Sequence, residues 1–268
     1  MRAARTLFAS RRLLLGAWCH VPSMYSAEVI ARLGFDWVCI DAQHGLAGHE
    51  TTVAMLQATQ FAPMPMLVRV RDNDPALIGR ALDAGADGVI VPMIENAAGA
   101  LRAAQACRYP PAGKRSWGPI RAALHDPGYD LERANNEVLC VIQVETREGV
   151  ENVDAILATE GIDAVYVGPN DLGVSYKVGP TGDPTNPQHL AAIATILDAC
   201  LRHDVNPGIH CGTVDAARRW IDEGFRMINV ASDALFMRKG AEDVLLALRA
   251  RDDDDEQLRE EGPGYVSR

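Results

Sequence analysis

Residues 138–173 read VLCVIQVETREGVENVDAILATEGIDAVYVGPNDLG, which is two apolar runs separated by one segment with helical periodicity. The runs VLCVI and AVYV predict two buried strands. The apolar residues between them recur at the spacing that places them on one face of a helix: Val150, Val153, Ile156 and Leu157. A strand, a helix and a second strand in this order predict two parallel strands of one sheet.

Each of these predicted strands is followed by a carboxylate, Glu145 after the first and Asp171 after the second. Parallel α/β folds bind their ligands at the carboxyl ends of the strands. Two acids that converge there suit a hard divalent cation held by oxygen ligands. The alternative is that Glu145 caps the helix beginning near Thr146 and that Asp171 caps a turn. The pairing on consecutive strands, with Gly168-Pro169 shaping the second loop, favours the metal site.

The composition fits one large α/β domain or two small ones, because the chain has 268 residues and a hydrophobic fraction of 48%. A net charge of −10 argues against nucleic acid or an anionic membrane surface as a partner. None of the six cysteines forms a CxxC pair, which indicates a reducing compartment and a cytoplasmic location. No apolar run is long enough to span a membrane.

The remaining chain continues the alternation of strands and helices. Further strands are predicted at 13–21, 37–40, 66–70, 88–93, 207–210 and 227–230, and further helices at 23–33, 51–59, 75–83, 97–107, 189–203, 214–223 and 241–250. Two Pro- and Gly-rich segments, 109–134 and 174–187, are expected to be irregular and to serve the site or subunit contacts.

Eight strands without a linker between them favour a single (β/α)8 barrel spanning residues 13–250. A doubly wound sheet is the alternative, but it usually carries a Gly-rich loop after its first strand, and GAWCHVPS is not such a loop. We expect residues 1–12 to be a frayed start rather than a targeting segment. The acidic residues 251–268 are expected to be a disordered tail.

The polar residues at the carboxyl ends of the predicted strands suit the formation and protonation of an enolate. They are Asp41, His44, Arg69, Gln143, Glu145, Asn170 and Asp171. A histidine exchanges protons near neutral pH, and an arginine donates to a developing oxyanion. His44 could instead be an ordinary loop histidine, and Arg69 could face the helices. No lysine lies at a strand end, which disfavours a Schiff-base aldolase.

Six motifs follow one another along the chain: GFDWVCIDAQHG (34–45), LVRV (67–70), LDAGADGVIVPMIENA (82–97), RYPPAG (108–113), CVIQVETREG (140–149) and VGPNDL (167–172). With them, the chain resembles the class II pyruvate aldolases of the 4-hydroxy-2-oxoheptanedioate aldolase / 2-dehydro-3-deoxyglucarate aldolase (HpcH/HpaI) family. The resemblance covers residues 16–250. It implies a TIM barrel of the phosphoenolpyruvate/pyruvate superfamily type and a homo-oligomer, a hexamer built as a trimer of dimers.

The resemblance also implies roles for individual residues. Glu145 and Asp171 resemble the family's metal ligands for Mg²⁺, Mn²⁺ or Co²⁺. Arg69 resembles the residue that stabilises the pyruvate enolate, and His44 resembles the general base that works through metal-bound water. The remaining matches are the pyruvate-binding groups Gln143, Gly168, Pro169 and Asn170, and Asp83, which resembles the acid that raises the basicity of the histidine. Because Asp83 ends a helix, it could reach a His44 only from a neighbouring subunit; the alternative is that its role in this chain is structural.

The chain departs from the family at Gln43, where an acid is common, and the segment KRSWGPIRA (114–122) is characteristic of only some members. The sequence therefore predicts a metal-dependent aldolase that cleaves a 4-hydroxy-2-oxo acid to pyruvate, or a related 2-oxo acid, and an aldehyde. A lyase of the citrate-lyase-β or phosphoenolpyruvate-mutase type is one alternative. A barrel that binds a 2-oxo acid without catalysis is the other.

Overall fold

The computed structural model describes the backbone of residues 4–260 and the side chains of residues 4–249. Eight parallel strands form a closed barrel in sequence order, as the sequence predicts. They are β1 (Leu14–Cys19), β2 (Trp37–Asp41), β3 (Met66–Arg69), β4 (Gly88–Val91), β5 (Leu139–Val144), β6 (Ala164–Val167), β7 (Asn206–His210) and β8 (Met227–Ser232). The fold is therefore a (β/α)8 barrel, and the doubly wound sheet is excluded.

Helices alternate with the strands. They are α1 (Ala4–Ala9), α2 (Met24–Ile30), α3 (His49–Ala58), α4 (Pro75–Asp83), α5 (Ala97–Cys107), α6 (Ile120–His125), α7 (Leu131–Glu137), α8 (Arg147–Glu151), α9 (Val153–Leu157), α10 (Pro169–Ser175), α11 (Pro187–Arg202), α12 (Val214–Glu223) and α13 (Asp233–Glu260). No helix among the described residues is long and apolar enough to cross a membrane.

The alternation of side chains along each strand fills the barrel from inside. Leu139 and Val141 of β5 belong to the same buried cluster as Trp37 and Cys39 of β2. Because side chains in a strand alternate between its two faces, Asp41, Gln143 and Glu145 continue these inward-facing rows towards the carboxyl ends. The larger buried cluster lies between the strands and the surrounding helices. The polar residues thus project into the mouth of the barrel by parity alone.

The N-terminal segment is not frayed as expected, because residues 4–9 form the helix α1. Ala4 and Phe8 are spaced by one helical turn and are buried in the interior cluster at the amino ends of the strands. The side-chain amide of Asn206 donates to the carbonyl of Phe8 over 2.8 Å, and Arg5 pairs with Asp163 over 2.6 Å. The spacing of Ala4 and Phe8 was the sequence signal for this helix. The helix α1 covers the end of the barrel at which the strands begin.

Three further segments differ from the prediction. The region expected to be irregular at 109–134 contains α6 and the start of α7, and α10 extends into the segment 174–187. The single helix predicted between β5 and β6 is divided at Asn152, whose amide donates to the carbonyl of Glu95 over 2.9 Å. This hydrogen bond fixes the backbone between α8 and α9, and the apolar face predicted for one helix is divided between these two short helices.

The C-terminal part of the chain is a separate compact unit, Ala234–Arg268, and the barrel lies in the unit Met1–Asp233. The predicted helix at 241–250 lies within the much longer α13. The tail expected to be disordered from residue 251 is helical through Glu260. Residues 261–268 lie outside the described part of the chain.

We expect Phe8→Ala to destabilise the barrel by about 3 kcal/mol, because removal of a buried phenyl ring leaves a cavity among the interior side chains. Urea unfolding followed by circular dichroism measures the change. Thr6→Ala is the matched control, since Thr6 lies on the same helix with an exposed side chain. Equal unfolding midpoints for the two variants would show that α1 is not part of the core.

Candidate active site

A cavity of about 200 Å³ lies at the carboxyl ends of the strands. It is lined by Trp18, His20, His44, Arg69, Gln143, Tyr166, Gly168, Pro169, Asn170, Asp171 and His210. Pockets for drug-sized ligands enclose roughly 300–1,000 Å³, so this cavity fits a small substrate. A larger cavity of about 340 Å³ lies beside α1 at the opposite end of the barrel. Active sites of (β/α)8 barrels lie at the carboxyl end, and seven residues of the predicted site line the cavity there: His44, Arg69, Gln143, Gly168, Pro169, Asn170 and Asp171.

Glu145 is buried, with 1% of its surface exposed, and both of its carboxylate oxygens accept hydrogen bonds. Oε1 accepts from the backbone N–H of Met93 over 3.0 Å, and Oε2 accepts from Nε2 of Gln143 over 2.6 Å. Burial and, to a smaller extent, the nearby charge of Asp171 raise the pKa of Glu145 to about 7, against the lowering effect of the hydrogen bond from Met93. The carboxylate therefore gains from any cation placed beside it.

The backbone around Glu145 is shaped to leave space at the carboxylate. A Cβ atom on Gly168 would lie 2.3 Å from Oε2 of Glu145 and 2.7 Å from Nε2 of Gln143. Met93 adopts the left-handed conformation, with φ of 56°, and in this conformation its N–H reaches the carboxylate. Strained backbone of this kind is often found at functional sites. Here it supplies a hydrogen bond that no sequence pattern predicted.

Glu145 does not cap the following helix, because Thr146 does so. The hydroxyl of Thr146 accepts from the backbone N–H of Gly149 at the start of α8. Asp171 lies in the first turn of α10 with an exposed side chain, and no hydrogen bond to its carboxylate occurs among the described residues. The capping alternative therefore fails for Glu145, and both carboxylates remain available to a ligand.

The donors present fit a hard divalent cation with open coordination positions. Two carboxylates come from Glu145 and Asp171, and the buried Oε1 of Gln143 lacks a hydrogen-bond partner in the described part of the chain. No group of three or more His, Cys, Asp or Glu side chains suited to a metal occurs among the described residues. The protein would thus provide few ligands, and the substrate and water would complete the set, as is usual for Mg²⁺ sites.

Arg69 faces the interior of the barrel, as favoured over the helix-facing alternative. Its Nε and Nη2 donate to Oδ1 and Oδ2 of Asp41 over 2.9 and 2.7 Å, across neighbouring positions of β2 and β3. The guanidinium carbon lies 4.4 Å from the ring centroid of Trp18. Burial opposes the charge of Asp41, but hydrogen bonds from His20 and Arg69 hold the pKa of this carboxyl well below its usual range. The guanidinium is therefore locked in place by a permanent anion.

The loop after β2 wraps around the same carboxylate. The backbone N–H groups of Gln43 and His44 donate to Oδ1 of Asp41 over 3.0 and 3.2 Å. A Cβ atom on Gly45 would lie 2.2 Å from the carbonyl oxygen of Asp41, so the tight turn requires glycine. The turn directs His44 into the cavity lining with an exposed side chain.

Asp83 is not brought to the cavity within one chain. Its carboxylate accepts from Nη2 of Arg115 over 2.6 Å at the end of α4. Arg115 belongs to the KRSWGPIRA segment, so one of the two departures noted in the sequence holds the predicted acid. A role for Asp83 at a neighbouring subunit's His44 stays a prediction.

Sequence reasoning missed four side chains of the cavity wall: Trp18, His20, Tyr166 and His210. His210, at the end of β7, lines the cavity with Nδ1 3.3 Å from the hydroxyl of Tyr166. Burial and the charge of Arg69 lower the pKa of His210 to about 4, so this imidazole is neutral at pH 7. Parity was the available signal, because Trp18 and His20 continue the inward-facing row of β1. Asn229 of β8 does not line the cavity; its amide donates to the carbonyl of Gly16 over 3.2 Å.

The raised pKa of Glu145 makes the stability of the metal-free protein depend on pH. A carboxyl whose pKa rises from 4.5 to about 7 on folding destabilises the folded state increasingly between these values. In EDTA, we expect the free energy of unfolding of Glu145→Gln to rise relative to that of wild type as the pH increases from 4.5 to 8, by about 1–3 kcal/mol in total. Urea unfolding across this range is the measurement. Glu148→Gln, at an exposed position of α8, should follow wild type, and parallel curves for all three proteins would contradict the expectation.

Comparison with known proteins agrees with this geometry. The family model described as HpcH/HpaI aldolase/citrate lyase matches residues 14–239. A hydroxypyruvate/pyruvate aldolase of Chromohalobacter salexigens is 39% identical over 229 residues, which cover 84% of this chain and 89% of that protein. A 4-hydroxy-2-oxo-heptane-1,7-dioate aldolase of Escherichia coli is 37% identical over 241 residues, covering 88% and 89%.

A solved structure of the same family has the same fold as this chain. The HpcH/HpaI aldolase/citrate lyase family protein of Burkholderia cenocepacia superposes with a TM-score of 0.87 and is 32% identical. The match covers 93% of this chain and 100% of that one. The matched residues 14–239 include every residue of the cavity described above. The chain is therefore a lyase that belongs to the HpcH/HpaI aldolase/citrate lyase family.

Proposed function

We propose that the protein is a metal-dependent aldolase that reversibly cleaves a 4-hydroxy-2-oxo acid to a short 2-oxo acid and an aldehyde. The observation that carries the proposal is the buried carboxylate of Glu145, which interacts electrostatically with Asp171 and is hydrogen-bonded to Gln143. Gln143 and Asp171 line the same cavity as Arg69. The small cavity suits pyruvate as the 2-oxo acid. The relatives named as pyruvate aldolases support the same choice, and hydroxypyruvate enters as a second candidate from one of those names.

A divalent cation at this site, when bound, would polarise the keto oxygen of the 2-oxo acid and acidify the adjacent C–H. Glu145 and Asp171 would hold the cation, and the donor set favours Mg²⁺, Mn²⁺ or Co²⁺. Gln143 and the backbone of Gly168, Pro169 and Asn170 would position the carboxylate of the 2-oxo acid. These roles follow from the oxygen donors, the space at Gly168 and the resemblance described above.

Two side chains of the cavity act on the reacting atoms. Arg69 donates hydrogen bonds to the oxygen that becomes negative as the enolate forms, and its pairing with Asp41 fixes its orientation beforehand. His44 exchanges a proton with the substrate through water. This division needs no lysine, in agreement with the absence of one from the cavity lining.

We further propose a cytoplasmic homo-oligomer, assembled as a hexamer, in which Asp83 of one subunit acts on His44 of the next. The support is the resemblance, together with the place of Asp83 at the end of α4, away from the cavity of its own chain. Its contact with Arg115 would hold the carboxylate ready for such a role.

Replacement of either acid should remove metal-dependent cleavage. We expect Glu145→Ala and Asp171→Ala each to lower kcat/KM for retro-aldol cleavage of 4-hydroxy-2-oxoheptanedioate by at least about 100-fold, because each removes a charged ligand. Glu148→Ala is the control, since this exposed acid lies close to Glu145 in sequence. Activity that persists in EDTA, or in both variants, would overturn the proposed function.

Exchange of the methyl protons of pyruvate in D2O tests enolate formation without an aldehyde. We expect the wild-type protein to exchange these protons with added Mg²⁺, Mn²⁺ or Co²⁺ and to stop when EDTA is added. Proton NMR of the methyl signal follows the reaction. A barrel that only binds 2-oxo acids would leave the signal unchanged under all conditions.

A further inference from the structure

His20 is an imidazole of the cavity wall whose orientation is set by a buried carboxylate. Its Nε2 lies 3.3 Å from Oδ2 of Asp41, and the side chain is 36% exposed towards the cavity. Asp41 is ionised and can only accept hydrogen bonds, so Nε2 of His20 must carry the hydrogen. The second ring nitrogen, Nδ1, is thereby left as the position that gains or loses a proton.

The backbone of His20 is held from two other parts of the barrel. Its N–H donates to Oδ1 of Asp233 over 2.8 Å, and its carbonyl accepts from the N–H of Leu46 over 3.0 Å. The ring packs edge-on against Trp18, with centroids 6.3 Å apart. Trp18 also contacts Arg69, so the imidazole and the guanidinium share a wall as well as the carboxylate of Asp41. The position of the ring is fixed before any substrate binds.

The ring of His44, unlike that of His20, has no carboxylate partner among the described residues. Asp41 contacts only the backbone N–H of His44, and no side chain among the described residues hydrogen-bonds to the His44 ring. An imidazole works as a general base when a carboxylate fixes its tautomer and stabilises its charged form. Within one chain, His20 meets that requirement, whereas His44 would meet it only through Asp83 of a neighbouring subunit, as proposed above.

We propose that His20, oriented by Asp41, is a second catalytic residue that accepts the proton of the C4 hydroxyl during cleavage. The inference rests on the proposed aldolase function and extends it to this side of the cavity. As Nδ1 of His20 takes the hydroxyl proton, the C4–O bond becomes a carbonyl and the C3–C4 bond breaks. The electron pair of that bond passes into the enolate held by Arg69. In the condensation direction, His20 returns the proton to the alkoxide.

One carboxylate then serves both halves of the reaction. Asp41 accepts from Arg69, which stabilises the enolate oxygen, and from His20, which handles the C4 oxygen. The charged and titratable groups around His20 are Asp41, Arg69, His210 and Asp233. Asp41 and Asp233 offset the positive charge that His20 carries after it accepts the proton.

His20→Gln is the decisive variant, because the amide nitrogen of Gln can take the place of Nε2 towards Asp41 but cannot accept a proton. We expect kcat for retro-aldol cleavage to fall about 10²- to 10⁴-fold, with a much smaller change in KM. His203→Gln is the matched control, since His203 also pairs with an aspartate, Asp154 over 3.0 Å, but lies outside the cavity. An unchanged kcat in His20→Gln would overturn the inference.

Two further readouts separate proton transfer from a purely structural role. Imidazole added to His20→Ala should restore cleavage in proportion to the concentration of its free base, and it should not restore His20→Gln. Oxaloacetate loses CO2 to give the same enolate with no hydroxyl proton to remove. The ratio of cleavage to decarboxylation should therefore fall at least about tenfold in His20→Gln.

The result can be told apart from a failure of the proposed function. Wild-type protein that exchanges pyruvate protons and cleaves the 4-hydroxy-2-oxo acid fulfils the aldolase proposal without reference to His20. If His20→Gln then loses cleavage and decarboxylation in equal proportion, or if only His44→Gln loses cleavage, His20 is not the residue that takes the proton.

Discussion

The carboxylate of Asp41, buried at the end of β2, is the constraint on which the mouth of the barrel depends. It accepts hydrogen bonds from Arg69, His20 and two backbone N–H groups of the following turn. A buried charge is costly unless all of its acceptor positions are filled. Here the donors come from the end of β3, from the residue after β1 and from the turn after β2, so these three parts of the chain are tied to a single point. The guanidinium and the imidazole reach the cavity already oriented.

Glu145 is the counterpart of Asp41, and the difference between their environments separates their roles. Asp41 has a cation beside it and stays charged, whereas Glu145 is buried next to another acid and its pKa rises to about 7. Two carboxylates whose pKa values are driven apart by their surroundings perform different tasks in many enzymes. Asp41, whose oxygens are occupied by hydrogen bonds, positions the side chains around it. Glu145, which has no cationic side chain of the described residues bound to it, retains affinity for a metal cation, and the proposed chemistry uses this property.

The sequence predicted the barrel and most of the side chains that line the cavity at the carboxyl ends of its strands, because both depend on local rules. Parity along β5 places Gln143 and Glu145 on one face, and the positions of strand ends bring Arg69 and Asp171 to the same edge. The contacts that were missed depend on residues far apart in the chain. His20 meets Asp41 only after β1 and β2 pair, and Phe8 meets the strands only after the barrel closes. No local pattern records such contacts.

Three features of the backbone around Glu145 keep its carboxylate buried and accessible to a ligand. Met93 takes a left-handed conformation that costs free energy, and its N–H donates to the carboxylate. Thr146 takes over the capping of α8, which leaves Glu145 without a structural duty at the helix start. Gly168 has no Cβ atom, and a Cβ atom at this position would collide with Oε2 of Glu145. The conformation of Met93 lowers stability locally, and the three features together leave one side of the buried Glu145 carboxylate open. A buried carboxylate is stabilised most by a bound cation, so the strained conformation of Met93 lies where binding can offset its cost.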